Sequence, residues 1–246
     1  MSDRALDLTA ISHAYDGEPA LVDVDLHVLR GEVVAVVGPS GSGKSTLLAV
    51  AGGLLTPDAG TRMVDGEDLD ALPRARREQH RREQVGFIFQ SANLVPYLTA
   101  RENLVAVEIL RGRDRHLAAD EADDLLESLG LSAKADRLPG QLSGGERQRV
   151  GIGRALMGRP AVILADEPTA SLDGHRGRAV VGLLRAQAAE RGVGAVVVTH
   201  DERVLDLVDR VVRLEDGRVV PGQGAASGMT APTAGEISVT ADASGA

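Results

Sequence analysis

The sequence predicts an α/β protein whose main sheet is largely parallel. Three runs are apolar without alternation, as expected of strands buried on both faces: VVAVVG at 33–38, AVILAD at 161–166 and GAVVVTH at 194–200. Helical patterns separate these runs, and a glycine-rich loop follows the first one directly. These observations indicate parallel strands joined by crossover helices, a class that binds ligands beyond the carboxyl ends of its strands.

Composition fits a globular protein and excludes several classes. The chain has 246 residues, of which 43% are hydrophobic and only 2% aromatic, so the core must consist of Val, Leu, Ile and Ala. A net charge of −9 gives no basic footprint, and we expect no nucleic-acid partner. The absence of cysteine excludes disulfides and thiolate metal sites. No run approaches the about 18–20 apolar residues of a membrane span, so we expect any membrane work to go through a partner chain.

The first half of the chain predicts strands around a short helix. LDLTAISHAY and LVDVDLHVL are strand patterns, and the second has one wet face because apolar residues alternate from 22 to 28. KSTLLAVAGGLL predicts a helix that ends near Gly52. MVDGEDL predicts a short strand and a turn, and the basic run RARREQHRREQ predicts an exposed helix. We interpret its charges as a solvated face rather than a nucleic-acid site.

The second half alternates strands with longer helices. VGFIFQ is the next strand, and its alternating Phe87 and Phe89 are expected in the core. A helical stretch is predicted from Thr99, the start of a capping box, to about Gly130. GRAVVGLLRAQAAERG predicts a helix that stops at Gly192, and RVVRLEDGRVV predicts a hairpin.

Residues 38–46, GPSGSGKST, match the phosphate-binding pattern G-x-x-x-x-G-K-[ST] in full. A buried strand precedes the loop and a helix follows it, which favours this interpretation over a chance glycine turn. We expect Lys44 to supply a cation for the β- and γ-phosphates and the Ser45 hydroxyl to bind Mg²⁺. The predicted phosphate-binding residues are Gly38, Pro39, Ser40, Gly41, Ser42, Gly43, Lys44, Ser45 and Thr46.

Acidic and polar residues follow the other predicted strands. Asp166 ends the run AVILAD, where an acid can hold Mg²⁺, and Glu167 beside it is the candidate base for an attacking water. The alternative is an ordinary acidic strand end. Because Gln90 and His200 end two further strands, we expect both to approach the same phosphate.

A second candidate phosphate cradle lies far along the chain, in QLSGGERQR at 141–149. Ser143 and Glu146 fit a capping box, which marks a helix N-terminus, and helix N-termini with glycines attract anions. One chain therefore carries two features suited to phosphate.

In this order the motifs resemble those of the ATP-binding cassette (ABC) ATPases. LSGGERQ resembles the family signature, and the phosphate loop, FIFQ, ILADEPTASLD and VVVTHD are the other matches, over about residues 5 to 220. The resemblance implies a P-loop NTPase (RecA-like) core with an antiparallel β subdomain and an inserted helical subdomain. We expect an ATPase domain at 1–220, with its helical part at about 91–160. The small, polar residues 221–246 predict a disordered tail.

The resemblance also implies roles for individual residues. Ser143, Gly144 and Gly145 are expected to cap the ATP of a second copy in a head-to-tail dimer. Tyr15 is expected to stack on adenine, and Asp173 to lie at the dimer seam. Gln90 is expected to sense Mg²⁺ and the water, and His200 to contact the γ-phosphate. ATP and Mg²⁺ are the implied ligands.

The function implied is that of an ATPase subunit that drives a separate membrane permease, peripheral on the cytoplasmic face. The detail VGFIFQSANLVPYLTARENL resembles the lipoprotein-release and macrolide-export branch, and SANLVPYLT is the expected dock for the permease. The alternatives are a subunit that transmits force to a cell-envelope complex, a soluble ABC ATPase, and a small-molecule kinase, for which the signature would have no use.

Two features depart from the resemblance. Gly151 and Gly153 stand in the signature helix where relatives usually carry alanine, which softens the helix unless tight packing requires them. Arg62 stands in a strand that is usually apolar there, which leaves the register of that strand open.

Overall fold

The computed structural model describes residues 3–170 and 172–220, so the predicted tail at 221–246 lies outside the described residues. The described strands are β1 (Arg4–Tyr15), β2 (Glu18–Leu29), β3 (Val33–Val37), β4 (Ala59–Val64), β5 (Glu67–Asp68), β6 (Val85–Ile88), β7 (Val162–Asp166), β8 (Gly194–Val198), β9 (Arg210–Glu215) and β10 (Arg218–Val220). The described α-helices are α1 (Lys44–Ala51), α2 (Arg74–Gln84), α3 (Ala100–Leu110), α4 (Arg115–Ser128), α5 (Gly144–Leu156) and α6 (Gly174–Arg191).

The main sheet has six strands in the order β10-β9-β3-β8-β7-β6. All neighbours in it are parallel except the β9–β10 hairpin. Residues of β3, β7 and β8 are buried on both faces, apart from partly buried residues at the carboxyl ends of β3 and β7. The prediction of a mainly parallel α/β core from the three apolar runs is therefore confirmed.

A second, antiparallel sheet has the order β2-β1-β4-β5. Its buried residues share a core with α1 and one face of the main sheet, while α3 to α6 pack on the other face. The alternation predicted for β2 is confirmed from residue 24 to 28, since Val24, Leu26 and Val28 are buried and the residues between them are exposed. It does not extend to Val22, which is partly buried beside the buried Leu21. The fold thus combines a RecA-like core, an antiparallel β part and a helical part.

The helical stretch predicted from Thr99 to about Gly130 is wrong in one respect, because it consists of two helices. The capping box at Thr99 and Glu102 begins α3 as predicted. The chain then turns at Gly112, whose φ of +82° is left-handed, and Asp114 accepts hydrogen bonds from the backbone N–H of His116 and Leu117 at 2.8 and 3.2 Å. These groups end one helix and begin the next.

Phe89 does not lie in the core as expected. Strand β6 ends at Ile88, so Phe89 falls beyond the sheet and is 40% exposed. Its ring stacks on that of Phe87, with centroids 5.8 Å apart.

Arg62 is compatible with a regular strand. It lies in β4 opposite Leu8 of β1, and its side chain is fully buried. The guanidinium donates to the carbonyl oxygen of Leu55 at 2.7 Å, to the carboxylate of Asp70 at 2.7 Å and to the carbonyl oxygen of Val50. Burial lowers the pKa of Arg62, and the Asp70 carboxylate opposes this effect. The register is intact because the buried cation has partners.

The two glycines of the signature helix differ in their surroundings. A Cβ atom on Gly153 would lie 2.9 Å from Leu129 Cδ1 and 3.1 Å from Leu104 Cδ2, which is closer than normal contact. A Cβ atom on Gly151 would lie 3.4 Å from the Cβ of Ala92, an ordinary contact. Tight packing therefore explains Gly153 and does not explain Gly151.

Candidate active site

The glycine-rich loop lies between β3 and α1, and its backbone is closely surrounded. A Cβ atom on Gly38 would lie 2.0 Å from the carbonyl oxygen of Leu214, and one on Gly43 would lie 2.3 Å from that of Ala20. Gly43 also has a left-handed φ of +99° at the N-cap of α1. Glycine is thus required at both positions by this chain's own structure.

Lys44 lies inside this loop. Its Nζ donates to the carbonyl oxygens of Gly38 at 2.9 Å and Pro39 at 2.7 Å, and lies 3.4 Å from Ser42 Oγ. No side chain caps the N-terminus of α1, which begins at Lys44. A cation, free helix N–H groups and a loop without obstructing side chains are what a phosphate group requires.

Two acids stand at the carboxyl end of β7, since Asp166 is its last residue and Glu167 follows it. Burial raises the pKa of the Asp166 carboxyl, and the neighbouring charge of Glu167 raises it further, while Lys44 opposes both. Glu167 has a left-handed φ of +47°, an uncommon conformation for a residue with a side chain. Such local strain is typical of functional sites.

Glu167 and His200 lie together because β7 and β8 are neighbours. The Glu167 N–H donates to the carbonyl oxygen of Val198 at 3.0 Å, which places the acid beside the end of β8. Glu167 Oε1 lies 2.9 Å from His200 Nδ1, and Glu167 Oε2 is buried without a hydrogen-bond partner. A buried carboxylate oxygen without a partner is suited to accept a proton or a hydrogen bond from a ligand.

These groups line one cleft of about 530 Å³. Tyr15, at the end of β1, contributes a ring from the antiparallel sheet and is 48% exposed. The cleft is lined by Tyr15, Ala20, Gly38, Ser40, Gly41, Gly43, Lys44, Ser45, Thr46, Asp166, Glu167, Val198 and His200. The phosphate loop, the acids, the histidine and the tyrosine predicted from sequence therefore meet in this cleft.

Seven of the predicted site residues lie outside this lining: Pro39 and Ser42 of the phosphate loop, and Gln90, Ser143, Gly144, Gly145 and Asp173. Ser143 caps α5, since its Oγ accepts from the N–H of Glu146 at 3.3 Å and Glu146 Oε2 accepts from the N–H of Ser143 at 2.7 Å. Asp173 caps α6 by accepting from the N–H of Arg176 at 3.0 Å. In one chain the signature helix does not reach the phosphate loop's cleft.

Sequence reasoning missed the residues that hold the segment after β6. The buried Gln148 donates to the carbonyl oxygen of Phe89, next to Gln90, at 3.1 Å. Arg154 donates to the carbonyl oxygens of Ala92 and Asn93, each at 2.8 Å. Both side chains belong to α5, so the signature helix fixes the backbone beside Gln90. In the sequence, these contacts are indicated by nothing more than long polar side chains, Gln148 and Arg154, within the helix that follows the signature.

A divalent cation would find oxygen ligands in the cleft. Ser45 and Asp166 both line it, and oxygen ligands are those that Mg²⁺ prefers. The described residues contain no group of three or more His, Asp or Glu side chains that could hold a metal by themselves. This donor set fits Mg²⁺, which keeps several waters and binds together with substrate phosphates.

A family model described as "ABC transporter" matches residues 21–170. The chain belongs to the ABC transporter family. It is an ATP-binding cassette ATPase, and ATP hydrolysis coupled to transport is the activity of that family. The resemblance inferred from the motif order is confirmed. No helix among the described residues has both the length and the apolar character needed to cross a membrane.

Curated relatives with this cassette are similar over nearly their whole length. The chain is 46% identical to the "Lipoprotein-releasing system ATP-binding protein LolD" of Shewanella oneidensis, over 88% of this chain and 96% of the relative. It is 44% identical to LolD of Bordetella pertussis, with the same two coverages of 88% and 96%.

Solved ABC structures have the same fold. A dimeric post-hydrolysis state of the cassette MJ0796, bound to ADP and Pi, is 38% identical, with a TM-score of 0.76 over 87% of this chain and 96% of that one. The cassette cbiO1 of Clostridium perfringens, part of the ABC transporter complex cbiONQ, is 29% identical, with a TM-score of 0.83 over 89% and 88%.

Proposed function

We propose that this chain is the ATPase subunit of a lipoprotein-release type exporter, driving a membrane permease made by another chain. The relatives named LolD support this assignment, since they match at 44–47% identity over most of the chain. The loop after β6 is the proposed dock, because its Tyr97 is 79% exposed. Bound there, the ATPase lies on the cytoplasmic face of the membrane. A photo-crosslinking residue at position 97 should capture the permease, and a permease that co-purifies with this variant without being crosslinked would contradict this dock.

Within the cleft we assign the roles that the geometry supports. Lys44 and the loop hold the phosphates, and Tyr15 stacks on the base. Ser45 and Asp166 would hold Mg²⁺, and Gln90, outside the cleft lining, is the further candidate to contact it. When bound, the ion would neutralise charge on the phosphates. Glu167 accepts the proton of the attacking water, and His200, 2.9 Å from Glu167, orients that carboxylate and meets the γ-phosphate.

The site is completed by a second copy of the chain. The observation that carries this proposal is the separation of two phosphate-type features in one molecule. The N-terminus of α5 at Ser143 lies outside the cleft that contains Lys44. A head-to-tail dimer brings the signature of each copy over the ATP of the other, with Asp173 at the seam.

Mixing two inactive variants tests the shared site. Ser143→Arg opposes the helix dipole where a phosphate is proposed, and Lys44→Ala removes the cation of the loop. Each variant alone should be inactive, whereas a mixture contains dimers with one site free of both changes. We expect ATPase activity to return in the mixture.

Thr99→Arg is the matched control, because Thr99 also forms a capping box, at the start of α3. It should lose about 1 kcal/mol of stability with nearly normal turnover. If Ser143→Arg behaves like this control and still forms dimers with ATP, the shared site is wrong. If no ratio of the two chains regains activity, size-exclusion of the mixture with ATP shows the reason. A mixed dimer that forms without activity means that one intact site is insufficient, and the absence of a mixed dimer means that the site is not shared.

A further inference from the structure

The connection between α1 and β4 joins the two parts of the molecule that form the cleft. Helix α1 begins at Lys44 of the phosphate loop, and β4 pairs with β1, which ends at Tyr15. How residues 52–58 are held therefore contributes to the distance between the phosphate loop and the tyrosine ring, beside the direct packing of the Ala20 carbonyl against Gly43. Two side chains outside the cleft lining hold this connection, one at each end.

Arg62 holds the end next to α1. Its fully buried guanidinium donates to the carbonyl oxygen of Leu55 at 2.7 Å and to that of Val50, in the last turn of α1. Asp70 accepts from the same guanidinium at 2.7 Å and balances its charge. Through these bonds β4 is fixed to the end of the helix that begins in the phosphate loop.

Asp58 holds the other end. Its N–H donates to the carbonyl oxygen of Ser12 at 2.8 Å, and its Oδ2 accepts from the N–H of Ala14 at 2.8 Å. The same carboxylate lies 3.6 Å from Nδ1 of His13, whose ring packs edge-on against that of Tyr15 with centroids 4.9 Å apart and planes at 88°. Asp58 thus fixes the backbone just before Tyr15 and lies beside the histidine ring that packs against it.

We propose that Arg62 and Asp58 are positioning residues that set Tyr15 at the distance from the phosphate loop at which base and triphosphate bind together. The inference rests on the proposed function, in which Tyr15 stacks on the base. Neither side chain lines the cleft, so each acts through the connection and β1. Loss of either should weaken the binding of a ligand that has a base, and spare a ligand that has phosphates alone.

The test compares the affinity of the whole chain for ATP with that for inorganic tripolyphosphate. Tyr15→Ala should weaken ATP binding about five- to 150-fold, the range of base–aromatic stacking, and leave tripolyphosphate binding unchanged. Arg62→Met and Asp58→Ala should weaken ATP binding about three- to tenfold, a part of that effect, with tripolyphosphate within about twofold of the parent. In the double variant of Tyr15→Ala and Asp58→Ala, no further loss is expected.

Two controls separate positioning from general destabilisation. Asp58→Asn keeps an oxygen that can accept from the Ala14 N–H and should restore ATP affinity. Glu108→Gln disrupts another buried ion-pair network, with Arg111 and Arg113 in the helical part, and should lower stability without changing the ratio of the two affinities. If Arg62→Met does not fold, Asp58→Ala carries the test, because the Asp58 side chain is 60% exposed.

The possible outcomes distinguish the inference from its premise. If Tyr15→Ala leaves ATP affinity unchanged, the role of Tyr15 in base binding is wrong, and the inference with it. If Tyr15→Ala has the expected effect while Asp58→Ala changes neither affinity, or changes both equally, the positioning role is wrong and the proposed function stands.

Discussion

Replacing Glu167 by Gln tests the centre of the proposed mechanism. Glutamine has the same length and can keep one hydrogen bond between its side chain and His200, which lies 2.9 Å from Oε1 of the native acid. The backbone strain at this position should not change, because glutamine and glutamate both disfavour the left-handed φ of +47°. The change therefore removes the basic oxygen and leaves the shape of the cleft.

The expected loss is that of a general base, about 10²- to 10⁴-fold in turnover. This range corresponds to about 2.7–5.5 kcal/mol of activation free energy. Oε2 of Glu167 is buried without a hydrogen-bond partner, so the substitution changes an oxygen that no other described residue holds. ATP binding depends on the loop and Lys44, and should stay near the parent level.

Steady-state phosphate release, titration with a fluorescent ATP analogue and size-exclusion with ATP measure these effects. The closed dimer should accumulate, because ATP binds and is not hydrolysed. Glu190→Gln, the same substitution at an exposed position of α6, is the control and should turn over normally. Turnover of Glu167→Gln within about threefold of the parent would refute the assignment of the base, since the expected loss is far larger.

The same variant should change how stability depends on pH. Burial and then the charge of Glu167 raise the pKa of Asp166 in the folded chain. A carboxyl whose pKa is raised by folding destabilises the fold above that pKa, and the cost disappears as pH falls through it. Because Glu167→Gln removes the second cause, it should melt at a higher temperature than the parent at about pH 8. Melts at decreasing pH should show the difference shrinking; a constant difference would contradict this cause.

Two further predictions concern stability. Gly151→Ala should stabilise the chain by about 0.5–1 kcal/mol, because helix propensity improves and the new Cβ would lie 3.4 Å from the Cβ of Ala92, an ordinary contact. Gly153→Ala should give no gain, because its Cβ would lie only 2.9 Å from Leu129 Cδ1. Urea unfolding of both variants checks this contrast, and equal effects would contradict it. Asp70→Ala should cost about 3 kcal/mol, since Arg62 is left buried without its counter-charge. Asp120→Ala, at an exposed position of α4, is the control, and an equal loss there would show that the ion pair is not the cause.

Much of the fold could be predicted because local signals and tertiary packing agree. Apolar runs without alternation identified the buried strands β3, β7 and β8, and both capping boxes began helices. The break between α3 and α4 was missed, because apolar periodicity resumes after the turn and only Gly112 and Asp114 mark it. The buried position of Arg62 could not be predicted either, since its acceptors are backbone oxygens that no sequence pattern records.

The candidate site shows the same division. Strand order brings Lys44, Asp166 and His200 to one edge, and each of them ends or follows a recognisable strand. Two other features depend on tertiary contacts: the left-handed backbone of Glu167, and the hydrogen bond from the Gln148 side chain to the Phe89 carbonyl oxygen. Residue types and their order therefore predicted most of the groups that meet, but not the position of Gln90 outside the cleft lining, and the orientation of the side chains required the structure.

The glycines of the signature give a separate argument that the site is completed from outside the chain. Gly38 and Gly43 are required by close neighbours in their own chain, but a Cβ atom on Gly144 would meet nothing closer than Leu172 Cδ2 at 3.6 Å. Gly144 is also the first residue of helix α5, where glycine costs a part of the about 1 kcal/mol that it costs relative to alanine in a helix interior. The folded chain alone would thus be more stable with alanine there, and a ligand approaching the backbone of α5 explains the glycine. Gly144→Ala should therefore raise the melting temperature of the free chain and weaken dimer formation with ATP. A variant that is stabilised and still forms the ATP dimer normally would remove this argument.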